Sequence, residues 1–531
     1  MSYRYLVHHY LEDAAARTPE KVALVDGDRS MTYAELDRRA NQVAHLLVGL
    51  GVRLADRVGI HLRKSMEAVI GIYGAMKAGA CYVPLDPGAP ESRIGYIAGN
   101  CGIRHLITGT EKRRTWPGLK AEGADELGHL VVLNAATTEG LPPVDGVEVL
   151  AGDTVDAQPV EPLDVGTVQQ DLAYILYTSG STGAPKGVML SHLACRGFVD
   201  WAAEEYGVTA DDVVSSHAPL HFDLSTLDLY AAARSGATLV LVPPKISVFP
   251  VEVAKFIDRH RITVWYSVPS ILTMLVEHGE LSVGSLPSIR VLLFAGEVFP
   301  TKYLSRLMKL LPPVTFANLY GPTETNVCTT YTVPEPPDEA APPVSIGRGI
   351  ANVDCFVVDE ELVEVERGAV GELLVRGPTV MRGYWGDPER THERLIRDPR
   401  DPVFGDPVYR TGDLVEEMPD GNYRFLGRRD NQIKSRGYRI ELGDIEAAIN
   451  AHPDVLECAV VAVPDEMISN RIRAFVAVKA PIPEHEMVAF CAEIIPRYMI
   501  PEAFAFRETL PKTSTGKIDR QTLGAEAAAP V

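Results

Sequence analysis

The run YTSGSTGAPKG, residues 177–187, gathers groups that could hold a polyphosphate. Thr178, Ser179, Ser181 and Thr182 supply hydroxyls, while Gly180 and Gly183 let backbone N–H groups approach a ligand closely. Pro185 stiffens the chain ahead of one strong cation, Lys186, which would counter phosphate charge. Gly187 follows where a Walker loop has the Ser or Thr that holds magnesium, so a P-loop kinase or GTPase is disfavoured. Alone, such a run reads equally as a solvated linker. Its place directly after the apolar residues 172–177 favours the phosphate reading.

The elements that must position this loop follow an alternating pattern. TYAELDRRANQVAHLLVGLGV opens with Thr32 and Glu35 in capping-box spacing and puts Leu36, Ala40, Val43, Ala44 and Leu47 on one face. RVGIHL and ACYVPLD read as buried strands around a helical KSMEAVIGIYGAMKAG. ATLVLVPP, ITVWYSVP, SIRVLLFAGE and TFANLYG continue the series, with helices such as PVEVAKFIDRH between them. The fold class this predicts is α/β, with mostly parallel, helix-covered sheets in a large N-terminal domain. After Ala340 the texture becomes that of an antiparallel β subdomain, about 340–429. A small α+β C-terminal domain, 430–531, is expected beyond a core of 1–429, with the charged, glycine-bearing GRRDNQIKSRG at the join. The last eleven residues, QTLGAEAAAPV, read as a frayed end.

The loop resembles the phosphate loop of the adenylate-forming superfamily of acyl-CoA ligases, luciferases and nonribosomal peptide adenylation domains. Further motifs fall in that family's order: NLYGPTE (318–324), GELLVRGPTVMRGYW (371–385), YRTGDL (409–414), GRRDNQIKSRGYRIELGDIE (427–446) and STGKIDR (514–520). The resemblance implies that ATP and a carboxylic acid give an acyl-adenylate and pyrophosphate, after which a thiol takes the acyl group. It implies an ATP site of the 178–183 loop, Lys186, Asn318, Tyr320, Gly321, Thr323, Asp413, Phe425 and Arg428. In it Tyr320 would stack on adenine, Thr323 contact phosphate, Asp413 accept from the ribose diol, and Glu324 hold Mg²⁺. Lys517 resembles the family's mobile lysine, which bridges substrate carboxylate and nucleotide. The C-terminal domain would swing about a hinge at Asp430, presenting either Lys517 or a second catalytic group, Lys434 and Gly437 in KSRGYR. Phe425 departs from a Tyr often found there, and Ser435 from an aliphatic residue.

The acid is read from HFDLSTLDL, where Phe222 and Asp223 open the substrate site. A carboxylate buried beside a substrate is costly unless paired with a cation, so Asp223 favours an acid that carries an amine. The alternative is a helix N-cap with Ser225 nearby. The remaining lining positions implied by resemblance are Leu224, Leu227, Tyr266, Leu293, Ala295, Leu319, Val327 and Cys328, closed by Lys517. None of the side-chain positions pairs a charged substrate, which argues for a small apolar amino acid. The ordered set resembles that of stand-alone prolyl adenylating enzymes, whose carrier-bound proline is oxidised to a pyrrole-2-carboxyl group. Leakage to close analogues is expected, since a methylene is worth only about 1–3 kcal/mol.

No phosphopantetheine serine follows Arg520, so a separate carrier protein is expected to supply the thiol. Rivals are an acyl-CoA ligase, a D-alanine or valine carrier ligase, and a non-catalytic ligand sensor. The chain has 531 residues, 46% apolar and 23% charged, with a net charge of −20 that opposes general nucleic-acid or anionic-membrane binding. Seven scattered cysteines without a CxxC pair are expected as reduced thiols. With no signal-like start and no apolar run of membrane length, the expectation is a soluble cytoplasmic protein, monomeric or weakly dimeric.

Overall fold

The computed structural model describes residues 4–180, 184–311, 313–401, 403, 405–430, 432–512 and 518–528. Two large sheets carry the N-terminal part. One runs, in spatial order, Gly383–Tyr384, Lys186–Ser191, Leu172–Thr178, Cys81–Pro84, Arg57–His61, His105–Thr108, His129–Val132 and Glu148–Leu150. From Leu172–Thr178 to Glu148–Leu150 its neighbours are parallel. The other places Val213–Ser216, Val264–Ser267, Val291–Ala295 and Thr315–Tyr320 in parallel, with antiparallel strands at both margins. The α/β fold expected from the alternating pattern is the fold observed.

Local chemistry sets these elements. Thr32 caps the helix Tyr33–Gly49 in a reciprocal capping box with Glu35, a feature whose loss typically costs about 1 kcal/mol. Leu36, Ala40, Val43, Ala44 and Leu47 are buried, as their spacing requires. That face packs on helix Met66–Lys77, where a Cβ on Gly74 would come within 2.5 Å of Val43 Cγ1. The strands in between are short and fully buried, so they read as continuous apolar runs rather than alternating ones.

The texture change after Ala340 corresponds to an antiparallel sheet of Asp354–Val358, Val370–Arg376, Pro407–Glu417 and Leu395–Arg397, with Tyr423–Arg428 also on Pro407–Glu417. Beyond it lies a smaller domain. A hairpin of Gln432–Ser435 and Tyr438–Glu441 leads into helix Leu442–Asn450 and a sheet of Val455–Asp465, Ser469–Val478 and Ala503–Arg507. The last pair is parallel, joined across helix Glu484–Ala492.

One expectation is corrected. The C-terminus is not frayed through 528: Arg520–Ala528 is a helix. Leu523 and Ala527, four apart on one face, are buried against Ala459 and Val461 of the neighbouring strand, and that burial outweighs the small, weakly patterned composition that suggested an end without structure. All seven cysteines are free thiols, six of them buried. Among the described residues no helix is long and apolar enough to cross a membrane.

Candidate active site

Parallel strands Val264–Ser267, Val291–Ala295 and Thr315–Tyr320 end together, and Tyr266, Ala295 and Tyr320 at their carboxyl ends line one cavity of about 110 Å³. This is where open α/β sheets bind ligands. A neighbouring cavity of about 840 Å³ shares Tyr320, Asp413, Arg428 and Lys434 with it, so the two form a continuous cleft.

The loop following Leu172–Thr178 is the tip of a hairpin, because Thr178 pairs with Lys186 across it. Thr178 and Ser179 line the smaller cavity. Ser181, Thr182 and Gly183 lie outside the described residues. Lys186 sits 3.3 Å from Glu324 Oε1 and over the Tyr384 ring. Burial lowers its ammonium to about 8, and the Arg439 charge adds to this against the pull of Glu324.

Glu324 is completely buried in the turn Thr323–Thr325. Its Oε1 accepts from the Tyr384 hydroxyl at 2.7 Å and its Oε2 from Arg439 Nη1 at 2.6 Å. Burial by itself raises a carboxyl, but the charges of Arg439 and Lys186 win and hold Glu324 well below the usual range. With both oxygens engaged and two cations beside them, this arrangement does not fit a metal ion. Among the described residues no other acidic, histidine or cysteine cluster is built for one.

Asp413, in the strand Pro407–Glu417, accepts from the Tyr320 hydroxyl and pairs with Arg428 Nη1 at 2.5 Å. Arg428 also grips Asp430 through Nε at 2.7 Å and Nη2 at 2.8 Å. Tyr320 and Phe425 face each other with ring centroids 6.4 Å apart, and Asn318 and Phe425 line the larger cavity. Gly321 closes the turn, since a Cβ there would lie 1.7 Å from the Asn326 carbonyl.

Asp223 occupies the N-cap position of helix Leu224–Ser235, yet its side chain does not cap the helix. It turns to the cavity and accepts from Thr323 Oγ1 at 2.7 Å. Burial raises its carboxyl, while Thr323 and the charges of Lys434 and Arg439 oppose that. Thr323, expected at phosphate, is therefore found hydrogen-bonded to Asp223. Phe222, Leu224, Tyr266, Ala295 and Val327 share the cavity wall with Asp223. Leu319 lines the larger cavity instead. Leu227, Leu293 and Cys328 reach neither wall; they are buried in the core packed behind it. Lys517 lies outside the described residues.

The C-terminal hairpin completes the cleft. Lys434, Gly437, Tyr438 and Arg439 all line the smaller cavity. Lys434 lies in the field of both Asp413 and Asp223, and burial lowers its ammonium. Gly437, at φ +81°, donates its N–H to Glu297 Oε1 at 2.6 Å, and a Cβ there would meet Val268 Cγ1 at 2.6 Å. Sequence reasoning assigned nothing to Glu297, Tyr384, Arg439 or Asp444. Tyr384, Arg439 and Asp444 stood inside recognised motifs, but their partners are 60, 115 and 264 positions away.

The α/β core opens at the carboxyl ends of its parallel strands into a cleft walled by Thr178, Ser179, Asp223, Tyr320, Asp413 and Phe425, the kind of crevice in which such folds bind ligands. Residues 11–385 match the AMP-binding enzyme family and residues 444–517 the AMP-binding enzyme C-terminal domain. The chain belongs to the AMP-binding enzyme family. It is similar to an L-proline–[L-prolyl-carrier protein] ligase of Pseudomonas fluorescens, 38% identical over 98% of each chain. A ligase of the same description from Streptomyces coelicolor is 39% identical over 97% of this chain and 95% of its own. The structure matches an artificially fused adenylation–PCP di-domain from Klebsiella oxytoca at 25% identity and TM-score 0.78, covering 95% of this chain and 94% of that one.

Proposed function

We propose that the protein activates L-proline with ATP to prolyl-AMP and transfers the prolyl group to the phosphopantetheine thiol of a carrier protein. In the first step a proline carboxylate oxygen attacks the α-phosphorus, the bond to the β-phosphate oxygen breaks, and pyrophosphate leaves. In the second the thiol sulfur attacks the acyl carbon, the bond to the AMP oxygen breaks, and AMP leaves as the thiol gives up its proton.

The observation that carries this reading is the Asp223–Thr323 pair, a buried carboxylate beside the apolar wall of Phe222, Leu224, Tyr266, Ala295 and Val327. Such a carboxylate needs a cation, and the ammonium of an amino acid supplies it. Phe222, Leu224, Tyr266, Ala295 and Val327 offer a proline ring apolar contact and nothing to pair a charged side chain. Similarity to two prolyl-carrier ligases over nearly the whole chain supports proline over valine or alanine.

The roles we assign follow the geometry. The 178–183 loop and Lys186 take the phosphates. Tyr320 and Phe425 flank the base, and Asp413, held by Tyr320 and Arg428, accepts from the ribose. Lys434 stabilises charge near the scissile acyl phosphate, and Lys517 serves adenylation from an arrangement in which the hairpin has withdrawn. The 1–429 core and the 430–531 domain turn about Asp430, which Arg428 ties to the Asp413 wall. Magnesium is the counterion we assign to ATP in that other arrangement, where Glu324 is released from Arg439.

Intact mass of a phosphopantetheinylated carrier tests the reading. With ATP and L-proline the carrier gains one prolyl group, and omitting either abolishes the gain. Equal loading of free coenzyme A with a fatty or benzoic acid would replace this proposal with that of an acyl-CoA ligase.

A further inference from the structure

Lys64 reaches from one large sheet to the other. It follows the strand Arg57–His61 of the first sheet and precedes helix Met66–Lys77. Its ammonium lies at the carboxyl end of Val213–Ser216 in the second sheet. There it donates to three successive carbonyls, those of Ser216 at 2.5 Å, His217 at 2.8 Å and Ala218 at 3.3 Å. An ammonium has three N–H donors, so the carbonyls match it in number. They form the root of a segment, 217–223, that ends on Asp223. The next helix holds the other end of that segment. Ser225 Oγ donates to the Phe222 carbonyl at 2.6 Å, and Thr226 Oγ1 to the Asp223 carbonyl at 2.7 Å.

We propose that Lys64 is a positioning residue for substrate recognition, fixing the 217–223 segment so that Asp223 aims into the substrate cavity. The inference rests on the reading of Asp223 as partner of the substrate ammonium. Asp223 stands at the N-cap of helix Leu224–Ser235, where the first N–H groups of the helix are the ordinary partners of a carboxylate. Its side chain leaves them and turns to the cavity instead. Which of the two it meets depends on the angle at which the segment enters the helix, and Lys64 sets that angle from the far end.

A tie that served only to join two sheets needs no charge. Burying an ammonium is costly, and burial lowers Lys64 in spite of the pull of Asp228. Asp228 is completely buried on the same helix as Asp223, and the Lys64 charge and the His217 N–H oppose the burial that raises its carboxyl. Neither Lys64 nor Asp228 lines the cavity, so both act behind it. An apolar side chain would fill the place of Lys64 at less cost. It would strand the carbonyls of His217 and Ala218, and the segment would shift to satisfy them.

ATP–pyrophosphate exchange by the full-length protein, with proline and ATP each varied, tests this. K64M is expected to raise the KM for proline by about tenfold or more and to leave the KM for ATP within about twofold. In a D223A background the same substitution changes kcat/KM for proline by less than about twofold, because the carboxylate that Lys64 sets is gone. K64Q keeps two donors without the charge and is read in the same way should K64M fail to fold, with a rise of about threefold or more. A KM for ATP that rises as far as that for proline, or a K64M effect that persists in full beside D223A, shows a structural tie alone and overturns the proposal. If D223A keeps the wild-type KM for proline, the reading of Asp223 has failed and the proposal goes with it. Absence of proline-dependent exchange in the wild type removes the proposed function itself.

Discussion

Thr323 donates its hydroxyl hydrogen to Asp223 Oδ2 at 2.7 Å, tying the carboxylate that faces the substrate pocket to the turn that bears Glu324. Asp223 and Glu324 thus share one short segment. Under the proposed function, a substrate ammonium on Asp223 would be held in fixed register with the 178–183 loop, so that its carboxylate could meet the α-phosphate in line.

Asp223 is the carboxylate that the proposed function sets against the substrate ammonium. D223A is expected to lower kcat/KM for proline in ATP–pyrophosphate exchange by roughly 10²- to 10³-fold, the range for stranding a buried charge. T323V, which removes one hydrogen bond to the same carboxylate, is expected to cost about tenfold. Wild-type rates with D223A would show that the amine is held elsewhere.

Asp413 is gripped by Tyr320 and Arg428, yet each carboxylate oxygen keeps a second lone pair for a ribose hydroxyl. D413N keeps the shape and removes the charge. The KM for ATP is expected to rise by about tenfold or more, with the KM for proline changed much less. A change confined to proline would place Asp413 in the wrong subsite.

Gly437 has neither the torsion angle nor the space for a side chain, at φ +81° and with Val268 against it. G437A is therefore expected to prevent the hairpin from docking. The ratio of carrier loading to ATP–pyrophosphate exchange should fall by about 10²-fold. An unchanged ratio would mean that the docked hairpin plays no part in transfer.

Buried neutral histidines make the fold acid-sensitive. Burial lowers His61 and His192 to about 3 and His217 to about 4, against 6.5 in the unfolded chain. Below pH 6.5 the unfolded chain binds protons that the folded one refuses, so stability is complete above that pH and drains away as pH falls toward 3. Each histidine contributes at most about 1.4 kcal/mol per pH unit in that window. The urea midpoint should fall between pH 7 and pH 5. H192N, which keeps an acceptor for the Val7 N–H, should flatten the fall. A midpoint independent of pH over that interval would contradict the account.

What the sequence disclosed was local. The capping box at Thr32 and the strand leading into the 178–187 loop each lie within a short run whose residue types carry the chemistry. Asp223 was legible because a carboxylate among apolar neighbours is costly and so asks for a partner. The contacts of Arg439 with Glu324 and of Gly437 with Glu297 were not legible, because they depend on how two parts of the chain meet across 115 and 140 positions. The helix Arg520–Ala528 escaped notice for a related reason, since its order comes from the strand that covers Leu523 and Ala527 rather than from its own composition.

Amino-acid-dependent ATP–pyrophosphate exchange, run with all twenty amino acids, pipecolate, a fatty acid and benzoate, tests the central claim most directly. The account predicts that L-proline dominates, with weaker exchange from close ring analogues. Exchange driven by benzoate or a fatty acid, or none with any acid from folded protein supplied with ATP and Mg²⁺, would contradict it.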